Sequence, residues 1–376
     1  MEAAPFRSWA EVSRGQIAEN FRRVRALVGP EVEIVGVVKA DAYGHGAIEV
    51  SRVLESEGAR WLAVSFIEEG VALREAGISA RILVMADCPT LAGGALLEYQ
   101  LTPVVQSLES LRELDRLLGG GAPRLRYHLK IDTGMGRLGT RAGAAEIATA
   151  VSEAARLELE GLMTHFASSA DYSTARTDRQ VRAFNQLCAQ LRAAGVSPPY
   201  LHMSSTNPIA YGRREAWQNM VRPGHALYGY VSPARGEAPP RVLEVAPALT
   251  WKARVVTVKE VPEGALIGYG GMFRAPHPMR IAILALGYSD GLSHRLSNRG
   301  HVIAAGRLVP ILGAISMDLT TIDVTESRSV RVGDAVTLLG AEGGVSINAQ
   351  EMARTAGTIS YDILCGIRAR VKRVYV

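Results

Sequence analysis

Eight short apolar runs recur between residues 32 and 229, each followed by a loop and then by an amphipathic stretch. They are residues 32–38, 61–66, 81–86, 101–105, 125–131, 159–166, 200–205 and 220–228. In the amphipathic stretches, for example residues 46–58 and 178–195, apolar residues recur three and four positions apart, as on one face of a helix. Strands that alternate with helices predict βαβ units and a parallel sheet. Eight such units within about 200 residues predict a (β/α)8 TIM-like barrel near its lower size limit.

The chain changes character after this repeat. A doubly wound sheet is the alternative to a barrel, but it needs no eighth repeat, and no G-x-G-x-x-G follows the first run. Residues 231–240 (VSPARGEAPP) are rich in Pro and predict a linker. Beyond the linker only residues 346–357 have a helical pattern, and β-like runs occupy residues 249–258, 279–286, 301–311, 320–324 and 335–339. The predicted fold class is therefore α/β plus β, with a barrel over residues 1–240 and a mainly-β domain over residues 241–376. We expect residues 5–12 to form a strand that packs on the second domain.

Composition narrows the class of protein. The net charge of +5 comes from interspersed Lys and Arg, without the basic run that would indicate nucleic acid as a partner. The three cysteines, Cys88, Cys188 and Cys365, show no C-x-x-C spacing, and predict reduced, mostly buried thiols in a reducing compartment. Residues 1–11 lack the apolar run of a secretory signal, and no apolar stretch is long enough to cross a membrane. These features predict a cytoplasmic protein without a membrane partner.

The end of the first apolar run carries the first candidate for chemistry, because barrel enzymes hold their reactive groups at the C-terminal ends of the strands. That run ends in Lys39. A lysine closing an apolar strand is desolvated unless it is paired or extends to solvent, and the second of these is the simpler interpretation. Desolvation is also what Schiff-base chemistry requires, because only the neutral amine attacks a carbonyl.

The later runs end in further polar residues. The fifth carries Lys130 and leads into a glycine-rich loop with Arg137, the sixth ends at His165, the seventh at His202 and Thr206, and the eighth at Arg222 and Gly224. Taken singly, the loop could be a surface turn with a solvated arginine, and each histidine could be a satisfied core residue. Hydroxyls after the seventh strand and a glycine after the eighth suit a phosphate, which barrels commonly bind there. Together these strand ends predict an active site.

Six segments resemble the motifs of alanine racemases, in the same order along nearly the whole chain. The first, VVKADAYGHG (residues 37–46), is similar to the attachment signature for pyridoxal 5′-phosphate (PLP) in that family. The others are KIDTGMGRLG (130–139), RPGHALYG (222–229), GYSDG (287–291), GAISMD (313–318) and GTISYDIL (357–364). The resemblance implies an N-terminal (β/α)8 barrel, a C-terminal β domain, PLP as the cofactor without a metal ion, an amino-acid substrate, and a homodimer that shares its active sites.

The resemblance also implies a role for each matching residue. Lys39 matches the lysine that carries PLP and acts as one base, and Tyr269 matches the second base, supplied by the partner subunit. Arg222 matches the partner of the pyridine nitrogen. Positions that match further cofactor contacts are Tyr43, Arg137, His165, Ser205, Thr206, Gly224, the backbone of His225, and Tyr361. Positions that match substrate contacts are Arg137, Met317 and Asp318, and those that match supporting groups are Lys130, often carbamylated in this family, His202, and Tyr288 of the access channel.

Two positions depart from the family pattern. Ser205-Thr206 stands where many members carry Asn-Ser, so that only the hydroxyl is retained. His225 stands where a small apolar residue is common, and its imidazole can change the shape of the pocket or the protonation of the phosphate. Both departures bear on which amino acid is preferred.

The implied roles fit the chemistry of racemisation. Removing the α-proton from one face and returning one to the other requires two bases on opposite sides of one carbon. Because Lys39 and Tyr269 belong to different predicted domains, a head-to-tail dimer would bring them together. A guanidinium such as that of Arg222 stays protonated near neutral pH, so it disfavours a protonated pyridine and should suppress transamination.

Three alternatives remain open at this stage. A fold-related PLP decarboxylase would have a Gly-rich phosphate loop and an acidic partner for the pyridine nitrogen, where this chain has Arg222. A non-catalytic PLP carrier would lack the β domain. A racemase of broader or different specificity, for serine or lysine, usually carries an export signal and a cysteine pair. Neither feature is apparent in this sequence, so we expect an isomerase that prefers alanine. The family implies that its D-alanine supplies peptidoglycan.

Overall fold

The computed structural model describes residues 6–86, 93–118 and 124–376. The chain divides into two compact units. The barrel unit comprises Ile17–Ala42 and Ala47–Ala246, and the β unit comprises the described part of Met1–Gln16, Tyr43–Gly46 and Pro247–Val376. No helix among the described residues is long and apolar enough to cross a lipid bilayer.

The secondary structure within the described ranges is as follows. The strands are β1 (Ser8–Val12), β2 (Glu33–Val37), β3 (Trp61–Val64), β4 (Arg81–Val84), β5 (Leu101–Val105), β6 (Leu125–Lys130), β7 (Leu157–Met163), β8 (Tyr200–His202), β9 (Met220–Val221), β10 (Leu249–Val261), β11 (Leu266–Ile267), β12 (Phe273–Arg274), β13 (Met279–Leu284), β14 (His301–Ala304), β15 (Arg307–Leu312), β16 (Thr320–Asp323), β17 (Ala335–Glu342), β18 (Val345–Ile347) and β19 (Lys372–Tyr375). The helices are α1 (Arg14–Val28), α2 (Lys39–Gly44), α3 (Ala47–Ser56), α4 (Ile67–Glu75), α5 (Gly93–Glu98), α6 (Leu108–Leu117), α7 (Ala144–Glu153), α8 (Arg176–Ala193), α9 (Thr206–Ala210), α10 (Ala349–Ala356) and α11 (Ser360–Gly366).

The barrel unit contains the predicted eight-stranded parallel sheet. Its strand order is β8-β7-β6-β5-β4-β3-β2-β9, and each neighbouring pair is parallel. Just beyond the two end strands, the Arg222 amide donates to the Ser204 carbonyl over 2.9 Å, which draws the edges of the sheet together. Strands β2, β3 and β5 are buried along their whole length, as expected for a parallel sheet covered by helices. The prediction of a TIM-like barrel is confirmed.

The eighth predicted run is shorter in the structure than in the sequence analysis. Only Met220–Val221 pairs as a strand, and His225–Tyr228 forms a 3-10 helix. Pro223 has no N–H to donate to a neighbouring strand, and Gly224 breaks the extended conformation with φ −120° and ψ −81°. The chain therefore leaves the sheet at Arg222.

The β unit contains a nine-stranded sheet of order β18-β17-β14-β15-β16-β13-β10-β1-β19. Strand β10 also pairs with β17, so different parts of its 13 residues pair with different neighbouring strands. β1 pairs antiparallel with β10 and parallel with β19. The prediction of a mainly-β second region is confirmed.

Two details of this unit differ from the prediction, and so does the burial of the described cysteines of both units. Residues 301–311 form two strands, because Ala305 and Gly306 have φ of 50° and 73° and turn the chain back as a hairpin. The expectation of one helical segment was wrong, since α11 follows α10. The thiols are also not mostly buried, because Cys188 is half-buried and Cys365 is exposed; Cys88 lies outside the described residues.

Candidate active site

Lys39 follows the first barrel strand and opens an unusual backbone segment. The four residues Ala40 to Tyr43 have φ between 51° and 55°, so this turn is left-handed. Its conformation costs roughly 1–2 kcal/mol per residue for L-amino acids. Compensating hydrogen bonds run from the Ala40 amide to Glu69 Oε1 (2.6 Å) and from the Ala47 amide to Asp41 Oδ1 (2.8 Å). Backbone strain held in place this way is typical of functional sites.

The C-terminal ends of the barrel strands carry a cluster of positive charge. Burial, followed by the charges of Arg222, Arg137 and Lys39, lowers the pKa of the buried Lys130 amine to about 8. Burial and the same cations lower the pKa of His165 to about 3, so its imidazole is neutral at physiological pH. This mouth of the barrel therefore suits an anionic ligand.

Arg222 is buried at the centre of this cluster. Its Nη2 donates to the carbonyls of Thr164 (2.8 Å) and Met203 (3.1 Å), and its Nη1 donates to His202 Nδ1 (2.8 Å). Burial lowers the pKa of Arg222 to about 9, which leaves the group protonated at neutral pH. Of its five N–H groups, the second on Nη1 and the one on Nε have no partner among the described residues. They can donate to an acceptor on a ligand.

The glycine-rich loop after β6 is held by Asp132. Its Oδ1 accepts from the amides of Gly134 and Gly136, each over 3.0 Å, and its Oδ2 pairs with Arg141 over 2.8 Å. Gly139 has φ of 112°, and a Cβ there would lie 2.9 Å from the Asp132 nitrogen. Arg137 lies exposed on this loop, and its guanidinium forms no hydrogen bond or ion pair within the described ranges.

The segments after β8 and β9 bring hydrogen-bond donors together. Thr206 Oγ1 accepts from the amides of Gly224 (3.2 Å) and Ala226 (3.1 Å). His225 between them is buried, and its ring stacks on Tyr230 with the centroids 5.1 Å apart. Ser205, the residue before α9, is half-buried. A hydroxyl beside the backbone amides of a short turn on one side of the mouth is suited to a phosphate.

Within the β unit, the two tyrosines of the expected phosphate set lie side by side. The rings of Tyr43 and Tyr361 have centroids 5.8 Å apart. Burial, then the neighbouring Tyr361, raises the pKa of Tyr43 well above its usual value, so the Tyr43 hydroxyl keeps its proton and can donate a hydrogen bond. Arg373 Nε donates to the Gly44 carbonyl over 2.9 Å and fixes the segment that carries Tyr43.

The remaining expected site residues also belong to the β unit. Tyr269 is 77% exposed and Met317 is 54% exposed, which is unusual for such large apolar side chains on neighbouring loops of one domain. Tyr288 donates its amide to the Ser316 carbonyl over 3.0 Å, so GYSDG lies beside GAISMD. Asp318 Oδ1 accepts from Ser289 Oγ (3.1 Å) and pairs with Arg370 (2.8 Å).

A row of polar side chains behind Arg222 includes two residues, His128 and Glu160, that were not predicted from the sequence. His202 Nε2 lies 2.8 Å from His128 Nδ1, and His128 Nε2 faces Glu160 Oε2 at 3.7 Å. Arg81 holds both oxygens of Glu160 at 2.6 Å. His128 on β6 and Glu160 on β7 were the available signal, but both lie in mid-strand, whereas the prediction rested on residues at the strand ends.

Comparison with known proteins agrees with this architecture. The family model for the alanine racemase N-terminal domain matches residues 12–233, and that for the C-terminal domain matches residues 248–375. The alanine racemase of Halothermothrix orenii is 41% identical over 369 residues, covering 98% of this chain and 96% of that protein.

Solved structures give the same result. The alanine racemase from Bacillus anthracis with bound L-Ala-P is 34% identical with a TM-score of 0.91, covering 99% of this chain and 96% of that one. The alanine racemase from Bartonella henselae with covalently bound pyridoxal phosphate is 27% identical with a TM-score of 0.87, covering 99% and 100%. The resemblance found in the six motifs is confirmed, and the chain belongs to the alanine racemase family of enzymes.

Proposed function

We propose that this protein interconverts L- and D-alanine with PLP as its cofactor. The observation that carries the proposal is the buried, protonated Arg222 at the barrel mouth that also holds Lys39, with two N–H groups that have no partner among the described residues. A relative of the same fold has covalently bound pyridoxal phosphate. Family membership disfavours a decarboxylase or a non-catalytic carrier.

The residues present fit PLP. Lys39 would attach it covalently, and Arg222 would donate to the pyridine nitrogen, an acceptor that matches its remaining N–H groups. The Thr206 hydroxyl with the amides of Gly224 and His225 would bind the phosphate, with Ser205, Tyr43 and Tyr361 completing that set. His165 would lie against the ring as a neutral imidazole, and His202 would support Arg222. When bound, PLP supplies an electron sink for the electron pair left on the α-carbon.

Lys39 and Tyr269 would be the two bases, one for each face of the substrate α-carbon. The high exposure of Tyr269 and Met317 supports a homodimer in which a second copy covers this surface and Tyr269 serves the partner's site. Met317 and Asp318 would contact the substrate from that side, and Tyr288 would line the access channel.

Arg137 would bind the substrate carboxylate. Lys130 supports this arrangement, because a pKa of about 8 leaves part of its amine neutral at physiological pH, and a neutral amine can form a carbamate with CO2. The resulting anion would pair with Arg137 instead of repelling it. We also propose that the domains span residues 1–240 and 241–376. The proposed location is cytoplasmic, and the proposed role of the D-alanine is to supply peptidoglycan.

An absorbance spectrum followed by incubation with L-alanine in heavy water tests this function. We expect a yellow protein that introduces deuterium at the α-carbon as D-alanine appears. A yellow protein that exchanges other amino acids, such as serine or lysine, but not alanine would refute the substrate. A colourless protein that added PLP cannot restore would refute the cofactor.

Two variants separate the roles. Lys39→Ala should lose the lysine-bound cofactor, whereas Tyr269→Phe should keep the yellow colour and lose racemisation. Retained racemisation in Tyr269→Phe would remove Tyr269 from the mechanism. Mixing the two inactive variants should restore part of the activity if each active site draws on both copies of the chain.

A further inference from the structure

A row of buried polar groups runs through the barrel unit from Arg222 to Arg81, with one wider step of 3.7 Å between His128 Nε2 and Glu160 Oε2. Its order is Arg222, His202, His128, Glu160 and Arg81, with 2.8 Å between Arg222 and His202 and 2.8 Å between the two imidazoles. Both histidines are fully buried, and Glu160 is 5% exposed. Only the far end reaches solvent, where the Arg81 side chain is 33% exposed beside Trp61, 4.0 Å from the ring centroid.

The Arg222 end of the row favours one direction of the hydrogen bonds. A guanidinium has only donors, so His202 Nδ1 must be an acceptor without a proton. A neutral His202 then carries its proton on Nε2 and donates to His128 Nδ1. His128 in turn carries its proton on Nε2, which faces Glu160.

The Glu160 end imposes the same direction independently. Burial alone would raise the pKa of Glu160, but His128 and Arg81 lower it to about 2, so this carboxylate is an acceptor at neutral pH. The reverse arrangement would point a lone pair of His128 at that carboxylate and an N–H of His202 at the Arg222 guanidinium. Charging either imidazole is opposed by burial, which lowers the pKa of both.

The backbone makes room for this row. Gly161 follows Glu160 on β7 and pairs with His128 on β6. A Cβ on Gly161 would lie 2.5 Å from His128 Nδ1, well inside contact distance. Glycine at this position lets the imidazole lie against the neighbouring strand, where it can reach His202.

We propose that His128 and Glu160 are positioning residues that lock His202 in the tautomer protonated on Nε2, so that Nδ1 always accepts from Arg222. The lock fixes the plane of the guanidinium and leaves its two remaining N–H groups directed at the ligand. The use of those groups toward a pyridine nitrogen rests on the proposed function; the tautomer itself does not.

Nitrogen-15 NMR of histidine-labelled, full-length protein measures the tautomers directly, with and without added PLP. Protonated and unprotonated ring nitrogens give well-separated signals, and His128→Gln and His202→Gln assign them among the eight histidines. We expect both His128 and His202 to be protonated on Nε2. A proton on Nδ1 of His202 in the unaltered protein would overturn the proposal without any need for a variant.

Glu160→Gln tests the lock, and Glu158→Gln on the same strand is its matched control. Arg81 takes the amide oxygen of the new glutamine, which turns the NH2 group toward His128 Nε2 and should reverse the row. Glu158 is 48% exposed and pairs with Arg126 at 3.6 Å, so the same change there should leave the signals unchanged. Unchanged His128 and His202 signals in Glu160→Gln would refute the role of Glu160.

Catalysis supplies a second readout. In Glu160→Gln the reversed His202 points its Nδ1–H at an N–H of Arg222, so this buried hydrogen bond is left unmade. We expect kcat to fall about ten- to a hundredfold, with little change in KM for alanine. A KM effect alone would contradict positioning through Arg222. A protein that shows the expected tautomers but no racemisation would support the lock and refute the proposed function.

Discussion

Replacing Lys130 with methionine should stabilise the protein in the absence of CO2. Lys130 is 5% exposed, and its amine forms no hydrogen bond or ion pair with the described residues. Its pKa is lowered from 10.5 to about 8, and this difference corresponds to about 3 kcal/mol of cost for holding the charged amine at pH 7. Lys130→Met fills the same space without a charge, so we expect the free energy of unfolding to rise by up to about 3 kcal/mol.

The pH dependence gives this prediction its sign. Because the folded-state pKa lies below that of the unfolded chain, the cost is fully present below pH 8 and is relieved as the pH rises from about 8 to 10.5. The advantage of Lys130→Met should therefore shrink to about 1 kcal/mol or less at pH 10. Added bicarbonate should narrow the gap at pH 8, because a carbamate on the wild-type Lys130 replaces the unfavourable cation with an anion among cations.

Urea denaturation measures the difference in unfolding free energy between Lys130→Met and the wild type at pH 7 and at pH 10. Both series use CO2-free buffer and one fixed protein concentration. Lys259→Met at an exposed position is the matched control and should change stability by less than about 0.5 kcal/mol at either pH. A Lys130→Met protein that is less stable than the wild type at pH 7, or equally stabilised at both pH values, would refute the assignment of Lys130 as an uncompensated buried cation.

Four further substitutions have defined outcomes. Arg222→Glu should raise the keto acid formed from alanine relative to D-alanine, because a carboxyl group favours a protonated pyridine; an unchanged ratio would count against the role of Arg222. Gly44→Ala, with φ of 79° and a Cβ 2.3 Å from the Leu364 carbonyl oxygen, should cost about 1–3 kcal/mol of unfolding free energy. Gly58→Ala, with φ of 85° and open space, should cost about 1 kcal/mol in the same urea titration, and equal losses would show that the contact is immaterial. Asn348→Ala removes a side chain that accepts from the amides of Gln350 and Glu351 at the start of α10, so it should cost about 1 kcal/mol, and an unchanged Tm would contradict the cap.

The barrel strands were predictable where side-chain periodicity alone determines the structure. The run 101–105 coincides with β5, because its residues are apolar enough to be buried on both faces of the sheet. The hairpin between β14 and β15 was hidden, since Ala305 gives no sequence signal for positive φ. Strand β19 was not predicted because its sequence, KRVY, has too few apolar residues to indicate a strand. It is stabilised by pairing with β1, which is distant in the sequence.

The active site was predictable to the extent that it lies at strand ends. Lys130 and Arg222 stand at the ends of their strands, and the structure places both in one cationic cluster. His128 and Glu160 lie in mid-strand, where sequence alone does not show which inward-facing side chains meet across the barrel. Their contact depends on the register of β6 against β7, which includes a bulge between Tyr127 and His128.

The pairing of β1 has a consequence for the order in which the chain folds during synthesis. β1 leaves the ribosome before the barrel sequence, yet both of its partners, β10 and β19, are made after it. At about 5–20 residues per second, roughly 10–50 s pass before β10 emerges, and β1 waits as an unpaired strand throughout. During that interval a strand of a neighbouring nascent chain can compete for its open edge. The nine-stranded sheet can therefore be completed only after translation of the barrel has ended, and slow translation across residues 17–246 should favour aggregation through β1.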